Sequence, residues 1–186
     1  MGRKIARFTS KPARMAPILT PKMSNGATGN SMKSLISVIY ASWATEDFHE
    51  HEIPELLKHA RVANAARELT GMLLYIGGAF VQVLEGEAAS VDSIFETIRL
   101  DNRHAQVALI MRESILERAF EGWTMSHKTL DPVEAGELIG ESSYFLSPTW
   151  VQKLDSAHAK ILLNAASIRW KIERRTGKYR TLGRSA

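Results

Sequence analysis

Hydrophobic and polar positions change rhythm sharply at residue 35. Over 35–42 the apolar residues run almost unbroken, rich in Ile and Val, which predicts a buried strand. Ile53, Leu56, Leu57 and Ala60 then recur at helical spacing, so an amphipathic helix is expected over about 52–67. Segments 69–76 and 79–85 read as two strands joined by Gly77-Gly78, a dipeptide free to adopt the positive φ of a tight hairpin. Val91, Ile94, Phe95 and Ile98 predict a second helix at about 88–101; 105–111 is a further strand and 122–127 a fifth. The order β-α-β-β-α-β-β is that of a ferredoxin-like α+β sandwich with one extra strand.

In that topology the first and third strands lie side by side at the centre, and both helices cover one face of the sheet. The other face needs its own cover. Ser147-Pro148 has the form of an N-cap followed by proline at the first helical position. After it, Val151, Leu154, His158, Ile161, Ala165, Ile168 and Ile172 recur at spacings of three and four. This predicts one long helix, about 148–173, suited to docking on the bare face or to pairing with another helix. Asp131-Pro132 is expected to start a shorter helix before it.

Composition adds limits. The 186 residues suffice for one domain plus extensions, and no apolar run approaches the roughly 18 residues of a membrane span. There is no cysteine, which removes disulfides and thiolate chemistry and fits the reducing cytoplasm, where the protein is expected. Charge is unevenly placed. Residues 1–33 carry seven Lys/Arg and no acid, and 169–186 carry seven against Glu173 alone. The stretch 34–168 holds ten basic and nineteen acidic residues, a net charge of −9. An acidic body argues against a nucleic-acid-binding core, although basic ends could touch nucleic acid or a membrane surface. The resulting division is a disordered basic tail at 1–33, a domain at 34–128, a helical extension at 129–175 and a flexible basic tail at 176–186. The first segment superficially resembles a transit peptide; a flexible tail, or a translation start at Met32, accounts for it equally.

No nucleophile elbow, Walker loop, dinucleotide glycine motif or zincin motif is present. His49 and His51 lack further ligands and read as exposed loop histidines rather than a metal site. The informative positions are polar residues in apolar elements. Tyr40 shares a strand face with Ile36 and Val38, Gln82 with Phe80 and Leu84, and Asn64 falls on the inward stripe of the first helix. Buried amides are costly when unpaired, about 1–3 kcal/mol. Their convergence suggests either a polar ligand between helices and sheet or a self-satisfied Tyr–Gln–Asn network.

The segments SVIYAS (37–42), NAARELTGMLLY (64–75), GGAFVQVLEG (77–86), DNRH (101–104) and FEGWTM (120–125) together resemble the BLUF family of flavin-binding blue-light sensors across about 35–127. The resemblance implies FAD, with FMN or riboflavin as possible substitutes, held noncovalently between the two helices. It identifies Tyr40 with the family's redox-active tyrosine, Gln82 with its switching glutamine, and Asn64 with the asparagine that bonds the ring's polar edge. Arg103 and His104 match the pair that lies near the flavin after the second helix. Trp123 and Met125 match residues that exchange contacts during signalling. Many relatives carry a polar residue just before the asparagine; this chain has Ala63, so one flavin contact is expected to be missing.

The expected function is therefore a photoreceptor: light excites the flavin, Tyr40 supplies an electron and a proton through Gln82, and recombination leaves Gln82 rearranged. The 59 residues after 127 are too few for an added enzymatic domain, so no enzyme activity is expected. Output should pass to a separate, unidentified signalling protein, with a homo-oligomer expected and neither membrane nor nucleic-acid partner. The alternative is a BLUF-like adaptor that no longer responds to light.

Overall fold

The structure, a computed structural model, describes residues 34–176, so the tails expected at 1–33 and beyond 176 lie outside the described residues. The elements are β1 (Leu35–Ala44), α1 (Ile53–Ala65), β2 (Thr70–Ile76), β3 (Ala79–Glu87), α2 (Ala88–Arg99), β4 (His104–Ser114), β5 (Ser126–Leu130), α3 (Pro132–Ile139), α4 (Trp150–Lys153) and α5 (Ser156–Thr176). Sheet order is β4-β1-β3-β2-β5. The first four strands pair antiparallel, as the ferredoxin-like pattern requires, and β5 adds in parallel beside β2. Gly77 and Gly78 take φ of 52° and 87°, the two positive angles a two-residue hairpin needs between β2 and β3.

Strand alternation divides the core into two layers. Val38, Tyr40, Leu73, Phe80 and Leu84 face α1 and α2, packing with Leu57, Val91 and Phe95. Ile39, Ala41, Met72, Val81 and Val83 face the other way, against Phe145, Trp150, Leu162 and Leu163 of the C-terminal segment. The second layer is the cover that the exposed sheet face demanded.

Two expectations need correction. The fifth strand begins at Ser126, not 122, because residues 120–125 make a bend instead of a ladder. Gly122 has φ 78°, the Trp123 N–H closes a turn on the Phe120 carbonyl (3.1 Å), and pairing with β2 starts only at Met72↔Ser126. The helix expected over 148–173 is broken. Leu154 is extended (ψ 114°), and Asp155 then caps a fresh helix, its carboxylate accepting the His158 N–H at 2.9 Å. Ser147-Pro148 lies ahead of α4, whose N-cap is Thr149.

The break resets the helical phase and splits the predicted apolar stripe. Val151 and Leu154 are buried, whereas Ile161, Ile168 and Ile172 are 49%, 58% and 55% exposed. The residues of α5 that meet the sheet are instead Ala159, Leu162, Leu163 and Ala166. The shorter helix behaves as expected: Asp131 accepts the Val133 and Glu134 N–H groups at 2.8 and 2.9 Å, with Pro132 as its first residue.

Candidate functional site

Tyr40 and Gln82 are direct partners in the β1–β3 register, so their side chains emerge together on the helix-covered face. The Tyr40 hydroxyl donates to Gln82 Oε1 at 2.5 Å. Tyr40 is fully buried and its ring packs on Phe95. Burial, with a smaller contribution from the Asp101 charge, pushes its pKa far above the ordinary phenol range, which keeps the proton on the oxygen. Gln82 spends its amide N–H on Met125 Sδ at 3.7 Å. One glutamine thus bridges a phenol and a thioether.

Above this pair lies a cleft of about 230 Å³ between α1 and α2. Tyr40, Gln82 and Asn64 are among its polar groups, with Asp101, Arg103 and His104 also lining it, while Leu56, Ile94 and Ile98 contribute apolar walls. Ligand pockets usually span about 300–1,000 Å³. This cleft is smaller than that, so a drug-sized ligand would enter it only in part. Ala63 also lines it and brings only a methyl group.

Asn64 is 2% exposed and donates Nδ2–H to the Thr124 carbonyl at 2.7 Å. Arg61, one turn earlier on α1, donates Nε–H to the Met125 carbonyl at 3.0 Å. These bonds tie α1 to the segment entering β5. The same segment is held elsewhere. Gly71 N–H reaches the Trp123 carbonyl (2.8 Å), and the buried Glu85 carboxylate accepts the N–H groups of Ala119 (3.2 Å) and Phe120 (3.0 Å). Burial raises the Glu85 pKa, opposed by those two backbone bonds.

His104 closes the cleft at the β4 end. Its Nδ1 lies 2.8 Å from the Ser42 hydroxyl, and burial lowers its pKa to about 4, so the ring is neutral near pH 7. Arg103 lines the mouth, with Nε–H bonded to Asp101 at 2.9 and 3.1 Å and an Nη2 bond besides. The hydrogen bond from Arg103 holds the Asp101 carboxyl below its usual value.

The structure accordingly brings Tyr40, Asn64, Gln82, Arg103 and His104 to one cleft, with Met125 touching it through Gln82. Trp123 is not there. It packs on the other side of the sheet, 4.3 Å from the Trp170 ring centroid and 5.9 Å from Phe120, with the Lys171 ammonium over its ring. Asp101 and Ser42 are site residues the sequence reading missed. Ser42 could have been found from its i+2 spacing to Tyr40 on one strand face, and Asp101 stands inside the quoted DNRH run.

A family model described as "BLUF: Sensors of blue-light using FAD" matches residues 35–126. The solved structure of BlrB, a BLUF protein in its dark state, is 30% identical with a TM-score of 0.55, the match covering 73% of this chain and 98% of that one. The ground state of BlsA is 28% identical with a TM-score of 0.59, covering 70% of this chain and 85% of that one. The photoactivated adenylate cyclase subunit beta of Euglena longa is 34% identical over 62% of this chain. The match spans 13% of that cyclase's length.

Proposed function

Because the chain belongs to the BLUF family of blue-light sensors that use FAD, we propose that it works as a photoreceptor whose switch is the Tyr40–Gln82 pair and whose output leaves through the Trp123–Met125 segment. The observation that carries this reading is the buried Tyr40–Gln82–Met125 chain of contacts under a ring-sized cleft. The cleft fits a flavin: its apolar walls suit the faces of a flat ring, and Asn64, Gln82 and Arg103 offer polar groups for the edges. A bound flavin supplies absorption of blue light and a one-electron acceptor.

The protein's own residues do the rest. Tyr40 is the electron donor, and its hydroxyl proton has a single ready acceptor, Gln82 Oε1. Neutral His104, with its Nδ1 engaged by Ser42, contributes no second charge beside the phenol. When electron and proton return, Tyr40 is restored and Gln82 is left rotated, tautomerised or both, which alters its present bond to Met125. On this reading the sensor domain turns over no substrate itself and passes its signal on by contact.

Magnitudes set the form of that contact. One hydrogen bond is worth about 0.5–1.5 kcal/mol, whereas moving a partner equilibrium from 1:99 to 99:1 takes about 5.5 kcal/mol. Several contacts must change together. The 120–125 bend supplies them, because Met125 touches Gln82 while Trp123, two residues earlier, touches Trp170 of α5. The stripe of exposed Ile161, Ile168 and Ile172 with half-buried Ala165 has the four-three-four spacing of a coiled-coil seam and supports pairing of two copies through α5. The test is an absorption spectrum before and after blue light: a yellow protein with a small reversible red shift is expected. A protein that remains colourless with excess FAD would instead be the light-inactive adaptor.

A further inference from the structure

A second cleft, of about 450 Å³, opens on the far side of α1 between Arg61, the 123–127 segment and the end of α5. We propose that it binds a planar organic anion, the anionic group on Arg61 and Arg174 and the flat body against Trp123 and Trp170. No carboxylate lines it. Arg99, Arg103, Arg112 and Arg169 each pair with a carboxylate; among the described residues, neither Arg61 nor Arg174 has one within ion-pair distance. Arg61 uses Nε–H on the Met125 carbonyl, and Arg174 lies over the Trp170 ring at 4.7 Å. Both guanidinium groups are thus held in place at the cleft without being neutralised. Guanidinium forks match the oxygens of phosphate and carboxylate groups.

The remaining wall selects for more than charge. Beside the polar groups, two indoles and Met125 form apolar wall that a bare inorganic ion would leave uncovered, and 450 Å³ lies within the usual range for small-molecule sites. His127 reports the local field: burial and the Arg61 charge lower its pKa to about 4. An anion on Arg61 would raise it.

The probe is guanosine monophosphate, titrated by calorimetry into the dark, flavin-loaded full chain, with guanosine and inorganic phosphate as comparisons. One site per chain is expected, with guanosine and phosphate each at least tenfold weaker. Arg61→Gln and Arg174→Gln should each weaken binding at least tenfold, and the His127 ring should titrate at higher pH in the complex. No saturable binding, or binding untouched by both substitutions, overturns the proposal. So does phosphate binding as tightly as the nucleotide, or flavin release in step with titration, which would place the probe in the other cleft. Arg174 lies in the last turns of α5, so its variant remains informative if Arg61→Gln fails to fold. An occupant would rest on the segment used by the proposed output, but binding measured in the dark stands apart from that reading.

Discussion

Tyr40 and Gln82 stand directly opposite each other on β1 and β3, joined by a 2.5 Å hydrogen bond beneath the helices. Two adjacent strands hold both side chains, so the donor–acceptor distance is set by the sheet and not by a mobile loop. A switch built there starts from one defined state.

Replacing Tyr40 by Phe, or Gln82 by Leu, is therefore expected to leave fold and bound flavin intact and to abolish the red shift. Both changes roughly conserve volume, and leaving the buried partner without its bond should cost about 1–3 kcal/mol. Light-minus-dark difference spectra check this. A full shift in Gln82→Leu would sink the hydrogen-bond switch.

Asn64→Ala should loosen two things together. It removes a polar group from the cleft and leaves the Thr124 carbonyl without its 2.7 Å donor, a loss of about 1–3 kcal/mol if that group stays buried. Flavin retained after dialysis and the urea midpoint should both fall. Unchanged retention would show that Asn64 serves the β5 entry alone.

His104 makes stability depend on pH with a definite sign. Its folded value, about 4, lies below the unfolded value of about 6.5. The stabilisation it contributes is present above pH 6.5 and is lost as pH falls toward 4. Urea unfolding of wild type and His104→Gln across that window should show the wild-type advantage shrinking as acid is added. A constant difference would mean that the ring is not held neutral by burial.

Light should alter hydrogen exchange at 120–127 and within α5 while the centre of α2 stays constant, because Trp123 meets Trp170 there. Trp170→Ala should leave the spectral shift intact and reduce the response in α5. If exchange changes stay confined to the flavin cleft, α5 is passive cover.

Ile168→Glu places a charge in the middle of the exposed stripe. Sedimentation should show wild-type pairs converted to monomers, with the flavin spectrum unchanged. Wild type sedimenting as a monomer at all tested concentrations would remove α5 as a pairing surface.

The sequence by itself determined the two-layer α+β sandwich, since alternation in the strands and helical spacing at 53–60 and 91–98 are local signals. It also determined that Tyr40, Gln82 and Asn64 point inward, because each shares a face with apolar neighbours. Pairing them followed from topology, as the first and third strands of this order are adjacent. Tertiary structure decided which faces meet. The 4-3 spacing from Val151 to Ile172 is uninterrupted in sequence; the break at Leu154–Asp155 follows a local cap, Asp155, that the periodicity masks, and packing then sets a different face of α5 on the sheet. Trp123 and Met125 are two residues apart, a spacing that in a regular strand puts both on one side. The Gly122 bend, with its carbonyls drawn to Gly71, Asn64 and Arg61, turns Trp123 toward α5 and Met125 toward Gln82. Local periodicity carries no record of such long-range hydrogen bonds, and those bonds choose the face each residue meets.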